Sequence, residues 1–103
     1  VARLAISKGF LADYAKLGKD VQRAVDQAVA TFARDPHPGR TLERPRHIKD
    51  NRLRIMPVDG HWRGVVLAPD AKDADTDTYC LVTVLPRDKA IAYASSHRFS
   101  VNA

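Results

Sequence analysis

The spacing of apolar residues changes several times along the chain, and each change predicts an element. Residues 2–6 (Ala-Arg-Leu-Ala-Ile) are a short apolar run of strand length, and the hydroxyl of Ser7 is suited to accept from the free amides of a helix start. Phe10, Leu11, Tyr14 and Leu17 then recur at helical spacing until Gly18 interrupts, and Val21, Val25, Ala28, Val29 and Phe32 mark one face of a second helix. Asp20 is expected to cap that helix and Asp35-Pro36 to end it. Two helices joined by a short Gly-Lys link predict an antiparallel helical hairpin.

Residues 36–51 hold Pro36, Pro38, Gly39 and Pro45 among Arg and His, and read as a long surface loop of a length that is uncommon unless functional or mobile. From Arg52 the period is two: Arg52 and Arg54 share one face, Leu53 and Ile55 the other. Asp59-Gly60 is a turn into a returning strand, His61 to Ala68, and Pro57 predicts a bulge or a frayed end just before it. Pro69 to Thr78 is a polar connection, and Tyr79 to Leu85 is a continuous apolar run best placed centrally in a sheet. Pro86 ends that run, and Asp88 is expected to cap a last helix through Ala94. The predicted order is β-α-α-β-β-β-α.

Length and composition narrow the picture. With 103 residues, 45% apolar and 28% charged, residues 1–103 are expected to be a single domain whose site lies on an open face. No apolar run approaches the ~18 residues of a membrane helix, and the start lacks a signal-peptide pattern, so the expected location is cytoplasmic, with no membrane partner. One cysteine, Cys80, excludes an internal disulfide, and its place in the apolar run predicts an inert core thiol. The formal charge is +5, and eleven of the seventeen basic residues are Arg, which favours phosphate because a guanidinium fork matches phosphate oxygens. The charge is uneven. Arg40, Arg44, Arg46, Lys49, Arg52 and Arg54 face only Glu43 and Asp50 in the same stretch, whereas four acids and one Lys lie between Asp70 and Asp77.

Several mechanisms lack their residues. There is no Gly-rich phosphate loop, no HExxH and no paired Cys, and His37, His47, His61 and His97 never fall at a ligand spacing, so neither metal nor cofactor is expected. Ser95, Ser96 and His97 carry little weight as a nucleophile and base, because helix neighbours do not face each other. What remains is arginine on strands: Arg52 and Arg54, Arg63 after Trp62, and Arg87 after the last strand, with Tyr93 six residues further on. If the helical hairpin covers one face of the sheet, the other would display four guanidiniums beside an aromatic ring. For any one of these residues a structural role is favoured, with Arg63 and Arg87 pairing to acids such as Asp59 and Asp88; for the set it is not.

The order of elements, the L-x-R-I and G-x-W-R hairpin (Leu53, Arg54, Ile55, Gly60, Trp62, Arg63) and the V-T-V-L-P-R-D-K-A-I-A-Y segment (Val82 to Tyr93) resemble the RelE/ParE toxin superfamily over nearly the whole chain. The resemblance implies a RelE-like α+β fold, an antiparallel sheet with an N-terminal helical hairpin on one face. It also implies a ribonuclease site whose basic strand residues fall on Arg52 and Arg54, whose further arginines fall on Arg63 and Arg87, and whose tyrosine falls on Tyr93. Two positions depart from the pattern: the hairpin from Arg54 to Arg63 is about two residues long and contains Pro57, and Pro86 stands where the family has a small or basic residue before the Arg. A narrower resemblance, through residues 5–17, Trp62 to Pro69 and Arg98 to Asn102, is to the RelE-like region at the N-terminus of some actinobacterial UvrD/Rep-like DNA helicases.

The resulting expectation is a metal-independent endoribonuclease acting on mRNA, with Arg63, Arg87 and Tyr93 catalytic and Arg44, Arg46, Lys49, Arg52 and Arg54 binding nucleic acid. A 2′-hydroxyl would attack the neighbouring phosphorus, and the general base is unidentified. Expected partners are RNA or single-stranded nucleic acid, the ribosome, and an acidic antitoxin or a covalently following helicase. The alternatives are a non-catalytic accessory domain of such a helicase and a ParE-like toxin that binds a topoisomerase.

Overall fold

Ser7 turns the chain from strand to helix. In a computed structural model, which describes residues 3–35, 42–69 and 77–97, its Oγ accepts from the Phe10 amide at 3.0 Å and donates to the Val82 carbonyl at 2.9 Å. One hydroxyl thus caps a helix and ties it to the sheet. Before it runs β1, Arg3–Ile6; after it come α1, Lys8–Ala15, and α2, Lys19–Arg34. The cap expected at Asp20 falls elsewhere: α2 starts after Gly18, and Asp20 lies in its first turn, where a carboxylate still meets the positive end of the helix. The helix ends at Arg34, as the Asp35-Pro36 pair predicts. Val25 and Phe32 are its buried residues, each such side chain contributing about 1.5–3 kcal/mol when taken out of water.

Three further strands and a helix complete the order: β2, Leu53–Pro57; β3, Trp62–Leu67; β4, Thr78–Pro86; and α3, Arg87–Ser96. They form one four-stranded sheet in the order β1-β4-β3-β2, so the apolar run of β4 is interior as expected. The expected antiparallel arrangement holds for β2-β3-β4, but β1 joins β4 in parallel, making the sheet mixed. The crossover through the helical hairpin carries the chain back to the same end of the sheet, and that geometry gives a parallel pair. Pro57 is the last residue of edge strand β2, the frayed end its missing amide predicts. The irregularity lies instead between β3 and β4, where Val65 faces Thr83 but Val66 faces Leu81, leaving Val82 extra. The last helix starts at Arg87 rather than after Asp88, because Pro86 has φ −55° and occupies the cap position.

Both faces of the sheet are covered, contrary to the expectation of an open face. Met56, Val66, Leu81 and Val84 pack under α1 and α2 with Phe10, Val25 and Phe32, whereas Leu53, Ile55 and Val65 pack under α3 with Ala90 and Ala94. Adjacent strand residues therefore enter different cores, as the two-residue period requires. Gly64 lets β3 approach closely: a Cβ there would lie 3.1 Å from Met56 Cε and 3.2 Å from Leu81 Cδ1. Leu42 is buried, and Glu43 exchanges backbone hydrogen bonds with Ile55 at 2.8 and 2.7 Å, so the C-terminal part of the predicted loop is held against the edge of β2. Cys80 is half-buried rather than in the core, and burial pushes its thiol above the ordinary value. Residues 36–41, the acidic run 70–76 and the closing segment 98–103 lie outside the described residues.

Candidate nucleic-acid interface

Two anchors at its ends hold the segment 42–52 in an arch. At one end Leu42 is buried and Glu43 bridges Ile55; at the other, buried Asp50 accepts from the Arg52 amide at 3.0 Å and from its guanidinium at 3.0 and 2.8 Å. Between them Arg44, Arg46, His47 and Lys49 are exposed. The arch forms one wall of a groove of about 790 Å³. Its floor is Ile55 and Arg63 from β2 and β3, and its far wall is the face of α3 that carries Arg87, Ile91 and Ser95 at successive turns.

Four arginines, Arg44, Arg46, Arg63 and Arg87, line this one groove, with Glu43 the only acidic side chain among the described residues that line it and His47 beside them. Arg63 is fixed at the hairpin: its guanidinium donates to the Asp59 carbonyl and, at 2.9 Å, to the Trp62 carbonyl. The Asp59 carboxylate is occupied elsewhere, accepting the His61 and Trp62 amides at 2.8 and 2.7 Å, and these two bonds hold it below its ordinary value. Arg87 is placed by its backbone, whose amide donates to the His61 carbonyl at 2.8 Å. Its guanidinium, like those of Arg44 and Arg46, has no ion pair or hydrogen bond with another described residue. Neither Arg63 nor Arg87 makes the salt bridge to Asp59 or Asp88 that a purely structural role would use.

The remaining expected site residues stand apart from the groove. Arg52 is engaged by Asp50. Arg54 alternates with Leu53 and Ile55 and so faces the helical-hairpin side; burial, then the charge of Arg44, lower its value, while Tyr79 acts the other way. Its guanidinium donates to the Asn51 and Leu53 carbonyls at 2.6 and 2.8 Å. Lys49 is exposed and lies off the groove lining. Tyr93 packs against the core under α3 and stacks on His97 with ring centroids 3.6 Å apart. Burial, then the charge of Asp13, raise its hydroxyl above the ordinary value. Sequence reasoning missed Glu43, His47, Ile91 and Ser95. The four-residue spacing of Arg87, Ile91 and Ser95 was the available signal for the helix wall.

Chemically, four guanidiniums around one groove suit a phosphodiester chain, with Pro45 and the exposed Ile91 offering apolar surface to a base or sugar and Glu43 and His47 the groups able to move a proton. Among the described residues, no group of three His, Cys, Asp or Glu side chains is placed to hold a metal ion, and no helix is long and apolar enough to cross a membrane.

No family model and no curated protein matches the sequence. Among solved structures, the chain is similar to one in the toxin–antitoxin complex RelBE2 from Mycobacterium tuberculosis, with a TM-score of 0.65 and 17% identity over 84% of this chain and 98% of that one. The RelE-like α+β fold is therefore shared.

Proposed function

We propose that a chain with this fold and this groove is a RelE-type, toxin-like domain that binds RNA along its phosphodiester backbone and cleaves it. The observation that carries the reading is the convergence of Arg44, Arg46, Arg63 and Arg87 on one groove. Three of those guanidiniums are not committed to any described partner, which leaves them available to phosphate.

In the cleavage reaction the 2′-hydroxyl attacks the adjacent phosphorus, the 5′-oxygen leaves, and a cyclic phosphate remains. Arg63 and Arg87, one on the floor and one at the start of α3, meet the charge that grows on the phosphorane, where a well-placed donor is worth roughly 10²- to 10³-fold in rate. Glu43 and His47 supply a base for the hydroxyl and an acid for the leaving oxygen, and Arg44 and Arg46 position the flanking backbone. The similar chain comes from a toxin–antitoxin complex, which supports an antitoxin partner here, an acidic segment of which would complement the groove.

The test is mRNA cleavage on purified ribosomes by the wild-type chain, Arg63→Ala, Arg87→Ala and His47→Ala. Cleavage by the wild type that each substitution reduces at least tenfold, in proteins with unchanged circular dichroism, is the expected result. Binding of RNA without any cleavage would leave a binding module, the role in which such a domain would serve a helicase.

A further inference from the structure

Arg63 and Arg87 both hydrogen-bond to the tip of the β2–β3 hairpin. Asp59 is the hub of that turn: its carboxylate accepts the His61 and Trp62 amides at 2.8 and 2.7 Å, and its backbone carbonyl accepts from the Arg63 guanidinium. The Val58 and Asp59 amides both donate to the Trp62 carbonyl at 3.3 Å and close the turn from the other side. Arg87 is tied to it by its amide, which donates to the His61 carbonyl at 2.8 Å. The tip is thus held by hydrogen bonds on every side, and it adjoins the groove where Arg63 and Arg87 line it.

Two rings stand on this turn, and the fold uses them differently. Trp62 is half-buried and packs against the core under the helical hairpin. His61 is exposed, belongs to neither core, and its ring nitrogens hydrogen-bond no other described residue. The rings meet edge to face, with centroids 5.8 Å apart and planes at 83°. A contact of this kind sets the angle of the imidazole without covering it on both sides.

We propose that His61 is a stacking platform for a nucleobase: when Arg63 and Arg87 hold a phosphate of the strand, the base of a flanking nucleotide lies flat on the imidazole, which Trp62 keeps in place. The inference rests on the reading of the groove as an RNA site. A base projects from the sugar beside each phosphate, so a phosphate gripped by two arginines brings a base to the residues that those arginines touch. Imidazole is among the rings on which unstacked bases settle, and the contact tolerates any base because each presents a π-face. The role of His61 is binding: it holds the nucleotide next to the reacting phosphate and takes no proton from it.

The experiment uses Trp62, the one tryptophan of the chain, as the reporter of its neighbour's ring. Binding of a short single-stranded RNA is followed by anisotropy and by Trp62 emission together, for the wild type, His61→Ala and His61→Phe, and again with the same backbone carrying abasic sugars. The wild type should bind both strands, with a change in emission only on the strand that carries bases. His61→Ala should lower affinity for the RNA by about tenfold, leave affinity for the abasic strand unchanged and abolish the emission response. His61→Phe keeps a ring without the imidazole nitrogens and should restore both. The position is exposed, so circular dichroism should be the same in all three proteins. Binding without an emission change, an equal change on the abasic strand, or equal losses in the two variants would overturn the platform and leave the arginine groove standing. No binding of either strand by the wild type would overturn both.

Discussion

Asp50 grips Arg52 with both carboxylate oxygens, Oδ1 to Nε at 3.0 Å and Oδ2 to the terminal nitrogen at 2.8 Å, and so withdraws from the groove an arginine that sequence alone places in it. The carboxylate is only 6% exposed and sits where the arch rejoins β2. Arg52→Ala should therefore act on stability: the buried carboxylate keeps the residue-52 amide but loses both guanidinium hydrogen bonds, a loss of about 1–3 kcal/mol. A urea titration should show the lowered midpoint, while the folded variant should bind RNA as the wild type does. An intact midpoint with lost affinity would put Arg52 at the interface instead.

The groove arginines should behave in the opposite way. If all four meet phosphates, log affinity for single-stranded RNA should fall with log salt at a slope of about −2.8, from ~0.7 per contact. Each of Arg44→Ala, Arg46→Ala, Arg63→Ala and Arg87→Ala should flatten the slope by roughly 0.7. Arg54→Ala and Tyr93→Phe should leave it unchanged, since neither side chain lines the groove. Fluorescence anisotropy across a KCl series measures all of these.

Asp59 makes part of the stability acid-sensitive. Its folded-state value is depressed by the His61 and Trp62 amides, so its contribution is present above the ordinary aspartate value and is lost as pH falls through the lower folded one. Because the carboxylate is exposed, the effect should be small. Thermal melts at descending pH should show a shallower acid decline in Asp59→Asn than in the wild type, and parallel declines would count against the turn geometry.

Gly64 carries the tightest constraint on substitution. A valine there adds a branched side chain where a Cβ alone already meets Met56 and Leu81 within 3.2 Å, and forcing atoms into a filled core typically costs 1–3 kcal/mol, so Gly64→Val should lose about that much. Gly60, with nothing within 4 Å of its Cβ position, should accept alanine with little change, and chemical denaturation of both variants gives the comparison.

Much of this architecture is readable from local spacing, and what is not depends on contacts distant in sequence. The 3.6 period of Val21 to Phe32 and the capping hydroxyl of Ser7 specify a helix and its neighbour without reference to anything else. The alternation from Arg52 to Ile55 says that two arginines share a face, but which layer covers that face depends on where residues 87–96 return. Since α3 covers Leu53 and Ile55, Arg54 is turned toward the helical hairpin. The parallel pairing of β1 joins residues about seventy-five positions apart, and no local pattern encodes it. The groove wall is not encoded locally for a related reason: Glu43 and His47 belong to a stretch without period, and the bridge to Ile55 gives them a fixed place.

Ala90 and Ala94 are wholly enclosed between α3 and the sheet, one methyl group each, while Arg87, Ile91 and Ser95 on the same helix look into the groove. The two methyls act as shims: their thickness fixes how near the helix axis lies to β2 and β3, and hence the aperture between α3 and the arch. A bulkier residue at either position would lift the helix and widen that aperture without altering any group that touches its contents. The width of what the groove can admit is thus set from behind, by side chains that do not line it, and that width can drift while every arginine stays in place.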